Sequence, residues 1–184
     1  FIAPTKPGPT DAVTNEMMKL HANPLRFRHH CPDEVPGTHR IYYHNVEGFC
    51  PHRSDITSDA NVFIHNYLFF LEPKISETAT VTLDGYETSY RQNSSCQEGH
   101  WNSEGILLFT KGGTSSPADL AFTAMKQDNS HCLLLVGSLS GVVIIVGYRH
   151  PNFPRGAFLE LLGKKITENN DKSLLVFGDM NFDL

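Results

Sequence analysis

The chain is poor in the features that would decide its class at once. Charged residues make up 19% of its 184 residues, and 15 Lys and Arg against 20 Asp and Glu leave a formal net charge of -5. That balance gives no bulk attraction for nucleic acid or acidic lipid, so any such binding has to come from a local site. The four cysteines, Cys31, Cys50, Cys96 and Cys132, show no C-x-x-C spacing. They read most simply as free thiols of a reducing compartment, with bridges left open. His44, His65, His100, His131 and His150 lack i, i+4 spacing, and no zinc site is expected. No stretch approaches the roughly 18 consecutive apolar residues of a membrane span. The longest apolar block, "CLLLVGSLSGVVIIVGY", is broken by Gly and Ser and reads as two strands. The opening "FIAPTKPGPT" is Pro-rich without an apolar run, which is not a secretory leader. The expectation from these features is an intracellular chain, neither secreted nor membrane-bound.

What is present is enough for one ordinary domain. Hydrophobic residues make up 40% of the chain, a globular composition. Their distribution is uneven. Residues 1–38 hold six of the 11 prolines and one short apolar segment, "EMMKL", and read as a Pro-rich linker or tail. Thr14 could cap a brief helix there, and "LRFRHH" at 25–30 reads as a solvated flank. The folded domain is expected over residues 39–184.

Within it the periodicity changes repeatedly. "RIYYHN" (40–45) is a strand entering the loop "VEGFCPHRS". Ser54 or Asp55 is placed to cap a helix carrying Ile56, Ala60, Phe63, Ile64 and Tyr67 near helical spacing. "YLFFLE" (67–72) does not alternate, which suits a strand buried on both faces. "ATVTLDGYETSYR" (79–91) predicts a strand through Ala79, Val81 and Leu83, a turn at Asp84-Gly85, and a second strand from Tyr86. "GILLFTK" (105–111) is a further buried strand, and "HCLLLVGSL" and "VVIIVGYRHP" form a hairpin about Ser140-Gly141. "RGAFLELLGKKITENN" (155–170) places Phe158, Leu161, Leu162 and Ile166 on one helical face. "SLLVFGD" closes as a strand. Hairpins mixed with helix-joined strands predict an α/β sandwich of mixed sheets flanked by helices.

Polar residues stand at the carboxyl ends of several strands: Asn45 and Glu47, Glu72, Tyr148, and Asp179 with Asn181. In α/β sheets ligand sites gather at that end, where the loops converge. A carboxylate closing a run such as "YLFFLE" is costly unless paired or bound to a metal. One or two carboxylates with amides suit Mg²⁺, which keeps most of its waters. Alone, each residue is more commonly a turn former, a surface charge or a half-buried aromatic.

Their joint order carries more. Asn45-Val46-Glu47-Gly48, "FFLEPKI", "LDGYETSYR", "EGILLFTK", "GYRHP" and "GDMN" together resemble the endonuclease/exonuclease/phosphatase superfamily, the DNase I-like proteins, from about His39 to Leu184. The resemblance implies a layered α/β sandwich and Mg²⁺-dependent phosphodiester hydrolysis, with Mn²⁺ as a possible substitute. It implies Glu72 as the metal-holding glutamate, with Asn45 and Glu47 supporting the metal and its waters. Asp179 would orient or deprotonate the attacking water, Asn181 would hold that water and a phosphate oxygen, and Tyr148 would bond the scissile phosphate. Arg149 would also meet substrate phosphate.

"YRHP" and "EGILLFTK" are most similar to endonuclease domains of mobile elements. DNA is then the expected substrate, a reverse transcriptase or helicase the expected fused partner, and the nucleus the expected location. Pro73, Met180 and His44 stand where family members commonly have Thr, Phe and Trp, departures that touch packing more than chemistry. The family's later Asp-containing loop and Ser-Asp-His segment have no counterpart before Leu184. The expectation is therefore an incomplete domain, inactive alone. A non-catalytic remnant and an inositol-phosphate-type phosphatase are the rival readings.

Overall fold

Side-chain alternation decides how the apolar runs are layered. In the computed structural model, which describes residues 38–93, 96–97, 100–101 and 104–182, strand β2 (Tyr67–Leu71) is buried along its whole length. Tyr67, Phe69 and Leu71 point into one apolar cluster, and Leu68 and Phe70 into another. A strand with both faces covered needs no polar alternation, which is why "YLFFL" reads as it does.

Two four-stranded sheets result. The first runs β1 (Ile41–Asn45), β2, β6 (Ile106–Lys111), β3 (Tyr86–Gln92). The second runs β10 (Ser173–Asp179), β9 (Val142–Arg149), β8 (Ser130–Leu139), β7 (Ala118–Gln127). Both repeat one pattern: a parallel pair at one edge, β1 with β2 and β10 with β9, then two antiparallel partners. A short hairpin, β4 (Cys96–Gln97) with β5 (His100–Trp101), stands apart from both.

The sheets face each other across a cluster of Phe69, Leu71, Leu108, Leu133, Leu135, Val146 and Tyr148. Helix α1 (Phe49–Ser58) covers the outer face of the first sheet, with Phe49 and Ile56 packed on Leu68, Phe70, Leu107 and Phe109. Helix α2 (Arg155–Thr167) covers the second, with Phe158 and Leu162 against Leu134 and Ile145. The order is helix, sheet, sheet, helix, a layered α/β sandwich as expected. No helix among the described residues is long and apolar enough to cross a membrane.

Three local expectations are corrected. Helix α1 begins at Phe49 rather than at Ser54, because Pro51 lies in its first turn, where no backbone N–H is needed. It stops at Ser58 instead of running on to Tyr67. The Ser58 hydroxyl donates back to Ser54 O at 2.8 Å, and the Asp59 carboxylate accepts from Asn61 N at 2.9 Å, diverting the chain into a 3-10 turn at Val62–Ile64. Ala79 to Leu83 make no strand beyond a single bridge from Leu83 to Tyr86. The Ala79 carbonyl is taken by Arg91 Nη1 at 2.8 Å, not by a neighbouring strand. Strand β7 escaped the sequence reading because it is an edge strand whose side chains are mostly exposed, its inward Leu120 and Phe122 being only partly buried. The expected helix after Thr14 and the stretch at 25–30 lie outside the described residues.

Candidate active site

Parallel pairing puts two strand ends side by side at one rim. Asn45 is in register with Leu71, so Glu72 follows directly beside it. The loops leaving the two strands stay stitched together, by Val46 N to Leu71 O at 3.1 Å and Phe49 N to Pro73 O at 2.8 Å. On the second sheet, Asp179 is in register with Tyr148, and Gly178 with Gly147. A Cβ on Gly178, whose φ is +139°, would stand 1.9 Å from the Gly147 carbonyl oxygen. Only glycine permits this approach, and it sets Asp179 directly beside Tyr148.

One side chain joins the two sheets. Asn45 Nδ2 donates to Glu72 Oε1 at 2.8 Å and to Asp179 Oδ2 at 3.0 Å, across 134 residues of sequence. The other end of the amide is fixed, because Asn45 Oδ1 accepts from Glu47 N at 3.3 Å. That settles which way the amide points. The surrounding backbone is held in the left-handed region at Glu47 (φ 47°), Glu72 (φ 49°), Lys74 (φ 47°) and Asn181 (φ 47°). Such conformations cost on the order of 1 kcal/mol or more each and persist where the fold over-determines them, commonly at functional sites.

The expected residues gather to different degrees. Asn45, Glu72 and Asp179 are joined directly. Asn181 adjoins them through its backbone N–H, which donates to Asp179 Oδ1 at 3.3 Å, while its Nδ2 donates to Arg149 O at 2.7 Å. Tyr148 is 2% exposed, its ring in the inter-sheet core with a centroid 5.4 Å from that of His131. The Glu47 side chain is exposed, and among the described residues no hydrogen bond ties its carboxylate to the other three.

Arg149 is not arranged as a surface phosphate contact. It is 6% exposed. Its Nε donates to Met180 O at 2.8 Å, Nη1 to Phe153 O at 2.6 Å and Pro151 O at 2.9 Å, and Nη2 to Asn181 O. Its donors therefore clamp the loop after β10 onto the end of β9. The signal for this was legible: Tyr148 faces the inter-sheet core, so its neighbour had to point the other way, toward α2.

No protein-family model matches the chain, and no curated protein matches it in sequence. Solved structures do. The 3′-5′ exonuclease NExo from Neisseria meningitidis superposes with a TM-score of 0.54 at 17% identity, over 78% of this chain and 58% of that one. An AP endonuclease from Archaeoglobus fulgidus gives a TM-score of 0.52 at 16% identity, over 78% and 58%. The chain has the endonuclease/exonuclease/phosphatase fold. The endonuclease domain of TRAS1, a telomere-specific non-LTR retrotransposon, is also similar, with a TM-score of 0.47 at 15% identity over 79% and 61%. The chain spans less than two thirds of the length of each of these structures.

On this fold the donor set fits a hydrated divalent cation. Glu72 is 9% exposed and Asp179 half-buried, and the two carboxylates meet at a single neutral amide. Among the described residues neither forms an ion pair; those found are His52 with Asp55, Lys126 with Glu104, and Lys165 with Glu168. Two carboxylates brought together at a neutral amide are the oxygen donors a divalent ion takes. No group of three or more His, Cys, Asp and Glu among the described residues forms an all-protein cage.

Proposed function

We propose that this site hydrolyses phosphodiester bonds of DNA with the aid of Mg²⁺, or Mn²⁺ in its place. The observation that carries the reading is the Asn45 amide holding Glu72 and Asp179 together across the two sheets. The similar structures are named as an exonuclease and an AP endonuclease, which favours a nucleic-acid substrate.

Glu72 and Asn45 would hold the cation, with Glu47 reaching it through water from its exposed position. The bound ion supplies charge neutralisation at the phosphate and the leaving oxygen. Asp179 is the remaining carboxylate at the rim. It would accept a proton from, or orient, a water in line with the scissile bond. Its Oδ2 is fixed by Asn45 and its Oδ1 by the Asn181 N–H, so the acceptor direction is set before substrate arrives. Asn181 and Tyr148 would receive phosphate oxygens, and Arg149 would act on them by holding the Met180–Asn181 backbone. The mobile-element origin, nuclear location and fusion to a reverse transcriptase or helicase are parts of the same proposal. They rest on "YRHP" and "EGILLFTK".

The test pairs binding with turnover. Mg²⁺ and Mn²⁺ affinity is measured by calorimetry on the chain and on Glu72→Ala and Asp179→Ala. Nicking of supercoiled plasmid and phosphate release from inositol phosphates are then followed with and without the ion. Glu72→Ala is expected to lose cation binding, and, in a protein that supplies the rest of the domain, both variants are expected to lose roughly 100-fold or more in nicking. Nicking that survives both substitutions would remove the assigned roles, and turnover of inositol phosphates alone would move the substrate class.

A further inference from the structure

A pair of imidazoles stands at the same rim. His131 opens β8 beside the end of β9. Its ring lies 5.4 Å from that of Tyr148, at an interplanar angle of 32°, and 5.7 Å from that of His150, at 41°. His150 therefore sits on the Tyr148 side of β9, at the carboxyl end that also carries Asp179 on β10. Arg149 points to the opposite side.

His150 is held by its backbone, by one ring nitrogen and by the His131 ring. Its backbone N–H donates to His131 O at 2.9 Å, and its carbonyl accepts from Arg149 Nη1 at 3.4 Å. Its Nδ1 accepts from Asn152 N at 3.2 Å. An Nδ1 that accepts from a backbone amide cannot carry the proton of the neutral ring, so the proton resides on Nε2. A half-buried imidazole with its ring packed and its tautomer set leaves the Nε2–H as a donor at the strand end beside Asp179.

We infer that His150 is a substrate contact, its Nε2–H donating to a non-bridging phosphate oxygen, with His131 packing the Tyr148–His150 pair in place. This rests on the phosphodiesterase reading of the site. It adds a donor to which the resemblance assigns no role. Preorganisation is what makes such a donor useful, because the ring loses little freedom when the phosphate arrives.

The experiment uses the full chain with plasmid nicking in Mg²⁺, comparing the native protein with Glu72→Ala, His150→Phe and His150→Gln. Phe keeps the stack and removes the donor; Gln restores an amide N–H. A hydrogen bond to a charged group predicts a loss of about 10- to 100-fold in kcat/KM for His150→Phe. His150→Gln should recover most of it, and thermal melts of the two should be alike. Nicking that requires Glu72 but is unchanged in His150→Phe overturns the inference and leaves the site reading intact. A second measurement decides the inference even if no nicking is seen. Imidazole ¹⁵N spectra are recorded with a saturating duplex oligonucleotide, Ca²⁺ replacing Mg²⁺ so as to slow turnover. The expected result is a displaced His150 Nε2 resonance beside an unmoved His65 resonance. An unmoved His150 resonance in a saturated complex refutes the contact.

Discussion

Gly178→Ala tests the close approach on which the site is built. The added Cβ would lie 1.9 Å from Gly147 O and 2.8 Å from Gly147 C and N. An ordinary carbon–oxygen contact is near 3.3 Å, so the facing carbonyl would have to withdraw by roughly 1.4 Å. Neighbouring strands are spaced at about 4.8 Å, and a displacement of that size breaks the local ladder bonds between β9 and β10. Two such bonds at about 1 kcal/mol each, with about 1–3 kcal/mol for a non-glycine residue held at this φ, give about 3–5 kcal/mol. For a chain of this size the melting temperature should fall by about 10 °C.

Gly163→Ala is the matched control. Gly163 lies inside α2, with nothing within 4 Å of an added Cβ, and alanine there should stabilise by up to about 1 kcal/mol. Urea titrations of the two variants read both effects. Because Asp179 follows Gly178, Gly178→Ala should also weaken cation binding in the fraction that stays folded. If Gly178→Ala melts within about 1 kcal/mol of the native chain, β9 and β10 do not pair as described, and the geometry linking Tyr148 to Asp179 fails with them.

Other outcomes follow from the same contacts. Arg149→Met should cost about 3–5 kcal/mol, since several backbone carbonyls lose a charged donor, and Arg149→Lys should not restore it because one ammonium cannot span those acceptors; near-native urea midpoints for both would count against the clamp. Burial pushes the Cys132 thiol up to about 11, against smaller opposing effects from Met125 and Arg149. At pH 8 its thiolate is about one part in 10³, so iodoacetamide with peptide mapping should label exposed Cys50 and spare Cys132 until the chain is unfolded. Asn45→Ala leaves Glu72 and Asp179 facing each other without the amide that both accept from, only the Asn181 N–H remaining on Asp179. It should destabilise the ion-free chain by about 2 kcal/mol, and saturating Mg²⁺ should recover most of that in a thermal melt.

Much of the fold was legible because burial leaves a direct trace in composition. "YLFFL" and "ILLF" have both faces covered and are apolar throughout, and the Ser140-Gly141 turn has the left-handed φ values, 48° and 83°, that its residues favour. Strand β7 left only a faint trace, since it is held largely by backbone pairing to β8 and its Leu120 and Phe122 reach the inter-sheet core only in part. The start of α1 was obscured by Pro51, which signals a loop in most contexts and an N-terminal turn in this one. At the site, residue types and order pointed to Asn45, Glu72 and Asp179, but the direction of a side chain is set by pairing partners far away in sequence. Arg149 shows the limit. Its place beside Tyr148 suggested a phosphate contact, yet strand alternation turns it toward Phe153 and the Met180–Asn181 backbone.

The repeated sheet pattern explains why the site lies where it does. Each sheet has a parallel pair at one edge, and parallel neighbours finish at the same end, so each sheet delivers two adjacent strand termini to one rim. The edge strands β1 and β10 also meet through Tyr43 and Phe177, whose ring centroids are 5.8 Å apart. Four termini therefore converge at the mouth between the sheets, carrying Asn45, Glu72, Tyr148 and Asp179. Antiparallel edge pairs would have sent half of these residues to the opposite end. No sequence repeat accompanies the pattern, because it is enforced by which strands are parallel and not by which residues they contain. A residue that bridges the seam must be short, neutral and able to donate to both sides, and asparagine meets all three conditions. A Lys or Arg there would neutralise the carboxylates and occupy the place of a cation, whereas the Asn45 amide orients them and leaves their charge available.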